Sequence, residues 1–231
     1  MKRFYKNAAA EPGDGGWRVA LDGRAVKTQG GRALILPTQL LAEALAQEWA
    51  NQGEVIDPTA FLFRDMADYA IDVIALDPAA AIAEMLPYAD TDTLCYRADP
   101  EDALHRRQEE VWEPLLLAAE HRLDVPYVRT TGVIHQPQAP RTLERIQAVL
   151  MTQDVFTLAA VKTMASLAAS MVLALSALEP GADVDVLWDA AELEEDWQAE
   201  LWGRDAEAET RRTRRRAAFA AAARFAELIR S

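Results

Sequence analysis

Cysteine occurs once in the 231 residues, at Cys95, so no intramolecular disulfide can form and a thiolate-rich metal site is excluded. Histidine occurs three times, and His105 and His121 fall on one predicted helix, too far apart along its axis to ligate one ion. Lysine is confined to Lys2, Lys6, Lys27 and Lys162, so nearly all positive charge is arginine. The formal net charge is nevertheless −13, which opposes general binding to phosphate backbones and favours solubility or steering toward a basic partner surface. Gly-rich phosphate loops of the Walker or dinucleotide type are missing, as is a nucleophile elbow. No long apolar run is present either. The nearest, Leu158 to Ser176, carries Lys162 and several Ser and Thr residues, so a buried helix is expected there rather than membrane insertion. The start, Met1-Lys2-Arg3-Phe4-Tyr5-Lys6, is basic with no apolar h-region behind it, which gives the expectation of a cytoplasmic protein without a signal peptide.

What is present is ample material for a core, 51% hydrophobic residues with abundant Ala that favours helix. The first 37 residues read as strands. Gly16–Leu21 partly alternates, Asp22-Gly23 is a type I′ hairpin signal, Arg24–Thr28 would return, and Ala33–Leu36 follows the Gly30-Gly31 turn. Helical period begins at an N-cap, Thr38, and runs through Gln52 to a stop at Gly53, followed by predicted helices over Phe63–Leu76 and from Asp77-Pro78 toward Met85. From about residue 99 the pattern is almost wholly helical. Predicted segments are Asp99–Leu123, Arg141–Thr152, Asp154–Leu178, Asp183–Trp202 and Asp205–Arg230, with an extended piece at Tyr127–Ile134. The expected fold is α+β, a small N-terminal β-containing domain over residues 1–90 and a larger all-helical domain over 91–231.

Val155–Leu178 is apolar on nearly every face, which marks a helix surrounded by others. In the next helix Val186, Ala190, Leu193, Trp197 and Leu201 form one apolar stripe, while Glu195, Gln198 and Trp202 share a different face. A carboxylate, an amide and a large aromatic outside the core stripe suit a protein-binding surface. Trp17, Trp49, Trp112, Trp188 and Trp197 can be assigned to the core, which leaves Trp202 spare. Eleven acidic residues lie between Asp183 and Glu209, followed by Arg211, Arg212, Arg214, Arg215 and Arg216. Pairing between adjacent helices explains these runs, and the alternative is a dedicated patch, with nucleic-acid binding along the arginines as its most distinct form. Catalysis has one thin candidate, a hydrolase or transferase using Cys95 or Asp90 and Asp92 with a histidine. A lone Cys between Leu94 and Tyr96 is more often packing, and Asp90-Thr91-Asp92 more often a turn or cap than a cation site. No cofactor or metal is expected.

Several unusual strings stand in order along the chain. They are Arg3-Phe4-Tyr5-Lys6, Gly16-Trp17-x-Val19-x-Leu21-Asp22-Gly23-Arg24-x-Val26-Lys27-Thr28, and Glu48-Trp49-Ala50-x-Gln52-Gly53. Further on come Asp90-Thr91-Asp92-Thr93-Leu94-Cys95-Tyr96-Arg97, Gln108-x-x-x-Trp112-x-Pro114-Leu115 and Leu193-Glu194-Glu195-x-x-Gln198-x-x-x-Trp202-Gly203-x-Asp205. Together the sequence resembles the F1-ATPase assembly chaperones that act on the alpha subunit. Where relatives often carry a Met-Pro-Leu-Thr-Arg-Leu-Ala-Asn-type string, this chain has Phe61-Leu62-Phe63-Arg64-Asp65-Met66-Ala67-Asp68. The resemblance implies a two-part, non-catalytic protein, monomeric when free. It would bind the unassembled alpha subunit and shield the surface that later meets a beta subunit. It also points to Glu195 as the functional acidic residue, with Glu194, Gln198, Trp202 and Asp205 beside it, although Gly203 and Asp205 suit a helix end and a cap.

Overall fold

A computed structural model describes residues 1–203 and 205–230. Strands β1 (Ala8–Gly13), β2 (Gly16–Leu21) and β3 (Arg24–Ala25) precede helices α1 (Gln39–Ala50), α2 (Leu62–Asp72), α3 (Pro78–Ala83) and α4 (Pro87–Asp90). Then come β4 (Tyr96–Arg97), α5 (Ala103–Leu123), β5 (Thr130–Thr131), α6 (Pro140–Met151), α7 (Val155–Ala168) and α8 (Met171–Ser176). The chain closes with α9 (Val184–Ala191), α10 (Leu193–Trp202) and α11 (Ala206–Ile229). The α+β expectation holds, an antiparallel sheet first and helices after it, with one parallel two-residue pair, β4 with β5, inside the helical part.

The described chain divides into two compact units. One takes in residues 1–78, 154–160 and 221 onward, the other 79–153 and 161–220. In the first, β1 pairs antiparallel with β2 from Ala8↔Leu21 to Gly13↔Gly16, and β2 with β3. The hairpin turn has φ 48° at Asp22 and 80° at Gly23, the two positive values that a type I′ turn needs. The Asp22 carboxylate accepts the N–H groups of Lys6 and Asn7, which holds the N-terminal segment at the turn. The expected third run contributes isolated bridges, Trp17 to Leu36 and Lys27 to Ala33. Helix α1 packs on β1 and β2 and buries Leu41, Leu45 and Trp49, with Val19, Leu34 and Leu36 also buried and the Trp49 ring against Tyr5 and Phe61. Thr38 caps α1 as expected, accepting from Leu41 N, and its hydroxyl donates to the carbonyl of Leu228 at 2.6 Å. Glu48 caps the next helix from a distance. Its carboxylate accepts Phe63 N at 2.7 Å and Arg64 N at 3.0 Å, and burial raises its pKa to about 7.

The second unit is built around Trp112, Met164, Val172, Trp188 and Phe219, all fully buried, with the Trp188 and Phe219 rings 5.4 Å apart. Two long helices expected from the sequence are each broken. Asp154–Leu178 divides at Ala169, whose φ is 48°, and Ser170 restarts the helix by accepting Leu173 N. The break is useful rather than accidental, because Thr93 donates to the Ala169 carbonyl through both its N–H and its hydroxyl. Asp183–Trp202 divides at Glu192. That break turns α9 relative to α10 and splits the expected apolar stripe. Ala190 and Leu193 are buried, Trp197 is half-buried, and Val186 and Leu201 are mostly exposed. Trp49, Trp112 and Trp188 occupy the core as assigned, whereas Trp17 and Trp197 are only partly covered.

Candidate functional site

Helix α10 carries the sequence-predicted residues. It starts at the buried Glu192, seats Leu193 inward, and stops at Gly203, whose φ of 92° no ordinary L-residue adopts comfortably. Glu195, Gln198 and Trp202 all lie on the solvent side, and Trp202 is 79% exposed, the one tryptophan left uncovered. The side chains of Glu195 and Gln198 form no hydrogen bond or ion pair with any described residue. A carboxylate and an amide left free to point outward, beside an uncovered indole, are the ingredients of an interface anchor. Asp205 differs, since its carboxylate accepts Ala208 N at 2.9 Å and caps α11. Glu194 differs too. It accepts Gln108 Nε2 at 2.6 Å, and burial raises its pKa against that hydrogen bond.

The remaining charges around α10 are engaged internally. Arg212 grips Asp196 with both guanidinium nitrogens and reaches the buried Glu192 at 3.5 Å, while Arg215 reaches Glu192 at 3.2 Å. Arg216 spans Asp185 and Asp189, and Arg107 clamps Glu200 at 2.7 and 3.0 Å. These pairs ring a groove of about 600 Å³ whose apolar lining includes Val111, Val186 and Leu193. Three of the five clustered arginines are therefore neutralised by carboxylates of the preceding helices, which leaves little basic surface for phosphates.

The residues of the catalytic alternative are not arranged for chemistry. Cys95 is fully buried, and that burial pushes its thiol far up, away from the reactive thiolate. Asp92 is also fully buried, its two oxygens taken by Leu94 N at 3.1 Å and Val172 N at 2.8 Å. Asp90 accepts Gln138 N at 2.9 Å and lies 3.4 Å from His135 Nε2, a loop-fastening role. Among the described residues no group of three or more His, Cys, Asp or Glu side chains could hold a metal ion, and no helix is long and apolar enough to cross a membrane.

Sequence strings far apart in the chain meet beside α10. Arg97 donates to the Leu94 carbonyl, pairs with Glu109 at 3.1 Å and Glu113 at 3.2 Å, and lies 5.2 Å over the Trp112 ring. Trp112 Nε1 in turn donates to Ala190 O at 2.8 Å. Gln108 accepts Ala98 N at 2.8 Å while donating to Glu194. The model of the ATP12 chaperone protein family matches residues 2–120, half of the chain. The chain belongs to the ATP12 chaperone family. It is 38% identical to Atp12 from Paracoccus denitrificans, whose crystal structure superposes with a TM-score of 0.90 over 99% of this chain and 98% of that one. The Atu1473 protein of Agrobacterium tumefaciens is 36% identical, with a TM-score of 0.92 over 98% of this chain and 85% of that one. The mitochondrial protein atp12 of Schizosaccharomyces pombe is 26% identical over 215 residues, 88% of this chain and 74% of that one.

In this ATP12 family member, the network ties together Gln108, Trp112 and Arg97 from separate strings of the sequence. They fix the start of α10 and the strand beside it. Sequence reasoning did not foresee that Glu194 is held by Gln108, nor the exposed Val133 and Ile134 on the loop after β5. The Gln at the head of its string was a signal for the first. Two adjacent β-branched apolar residues between Gly132 and Pro137 were a signal for the second.

Proposed function

We propose that the protein is a non-catalytic assembly chaperone that binds the unassembled F1-ATPase alpha subunit and covers its subunit interface until a beta subunit joins. The single observation that carries this is the face of α10, where Glu195 and Gln198 are exposed and unpaired among the described residues, beside the exposed Trp202. Membership of a chaperone family supplies the class of activity, and the sequence resemblance supplies the client. Glu194 and Asp205 sit at the edges of that face and shape it from hydrogen bonds of their own. We place the protein in the cytoplasm, working as a monomer so that this surface stays free, with no cofactor, no nucleic acid and no membrane insertion.

Co-expression with the alpha subunit of the same organism, followed by size-exclusion chromatography, tests this. A one-to-one complex that keeps alpha soluble and releases it on addition of beta is expected. Aggregated alpha with this protein eluting alone would overturn it.

A further inference from the structure

The loop after β5 is fastened at its base and bare at its tip. Gly132 N donates to Arg97 O at 2.9 Å, with a φ of 80° at Gly132 that turns the chain outward. His135 is held by the Tyr96 hydroxyl at 3.1 Å and by Asp90 at 3.4 Å. Gln138 donates its N–H to Asp90, and its buried amide both accepts Val128 N at 2.8 Å and donates to Val128 O at 3.0 Å. Between these fastenings Val133 is 97% exposed and Ile134 76%. A single exposed aliphatic residue is ordinary, but two adjacent ones held away from the core by polar contacts on both sides keep apolar area in water that the chain could otherwise fold down.

A groove of about 420 Å³ opens beside the tip. It is lined by Thr91, Thr93, Tyr96, Arg97, Val133 and Glu194 among others. Glu194 lies in the first turn of α10, so the groove shares an element with the face that carries Glu195, Gln198 and Trp202. The buried Arg97 in its lining is already neutralised by Glu109 and Glu113, which leaves Glu194 as the carboxylate among the described lining residues.

We propose that the Val133–Ile134 tip and this groove form a second contact for the client, taking an extended apolar segment with a cationic side chain next to it. The occupant is assigned from two features, the helix that the groove shares with the Glu195 face and the Glu194 carboxylate in its lining. This rests on the chaperone reading above, with the same alpha subunit as partner. Because the base of the loop is already fixed, binding there orders little additional chain, which favours affinity. A membrane surface fits worse, because the protein carries a net charge of −13.

The test compares wild type with a Val133→Ser/Ile134→Ser double variant in calorimetric titrations against the alpha subunit. Both positions are exposed, so thermal unfolding should be unchanged, while affinity should fall about tenfold or more. A photo-crosslinker at position 133 should label alpha, and one at the exposed Val73 should not. Wild-type binding with affinity of the double variant within about twofold would overturn the second contact and leave the chaperone reading standing. Failure of wild type to bind alpha at all would remove both. Tip-dependent cosedimentation with phosphatidylglycerol vesicles, or a tip-dependent dimer of this chain, in place of alpha binding would overturn the assignment of the occupant.

Discussion

The Asp92 carboxylate accepts the backbone N–H of Val172 at 2.8 Å across 80 residues of chain. Its other oxygen takes Leu94 N, so one buried side chain fastens the segment after α4 to the start of α8. Burial raises this carboxyl from the ordinary 3.8 to about 6, although the hydrogen bonds from Val172, Ser170 and Leu94 pull it down. The folded state thus holds its proton more tightly than the unfolded state. The associated stabilisation is complete below pH 3.8 and is lost as pH rises through about 6.

Asp92→Ala should destabilise the protein by about 2–4 kcal/mol at about pH 5, because buried N–H donors lose their acceptors. The penalty should shrink by about 1–2 kcal/mol by about pH 7.5, where wild type carries a desolvated charge that the variant lacks. Urea unfolding at the two pH values measures this. Equal penalties would show that Asp92 does not titrate in this window.

Glu48 makes a parallel case in the other unit. With its pKa raised from 4.5 to about 7 by burial, its contribution is complete below pH 4.5 and is lost as pH rises through about 7. Glu48→Gln should flatten the fall in melting temperature across that interval. It should also lower the melting temperature at about pH 5, since the amide nitrogen that replaces one carboxyl oxygen is a donor and cannot accept the N–H of Phe63 or Arg64 held at that position. A variant with the pH profile of wild type would contradict this.

Much of the local structure was legible in the sequence because local chemistry sets it. Asp22-Gly23, Thr38 and the helix starts at Asp77-Pro78 and near Asp102 follow from dihedral and capping preferences that act within a few residues. The breaks at Ala169 and Glu192 were not legible, because partners from elsewhere in the chain stabilise them. Thr93 satisfies Ala169 O, and Arg212 and Arg215 compensate a buried Glu192. An apolar pattern unbroken by Gly or Pro reads as one helix whether or not a distant group interrupts it. At the candidate site, the outward face of α10 was legible from helical spacing. The tie between Gln108 and Glu194 spans 86 residues and leaves no periodic trace.

The arginine cluster should prove unequal. Arg212→Ala strips partners from Asp196 and from a buried Glu192, and should cost about 2–3 kcal/mol of stability. Arg214 is exposed, and Arg214→Ala should change stability by less than about 0.5 kcal/mol. Denaturant midpoints at one pH distinguish the two. Similar losses at both positions would mean that the pairing around Arg212 is not structural.

Cys95 should report on the core. With the thiol buried and its ionisation suppressed, reaction with a thiol reagent should be slow in the native protein and should accelerate to completion on unfolding. Rapid native-state labelling would contradict the packing around β4.

The face of α10 is tested most directly by titrating the alpha subunit into Glu195→Lys and wild type by calorimetry. Glu195 is exposed and unpaired among the described residues, so the variant should fold and melt like wild type. We expect its affinity for alpha to fall by the equivalent of about 2–4 kcal/mol, as for an interface anchor. An affinity equal to that of wild type would contradict the assignment of α10 as the client-binding face.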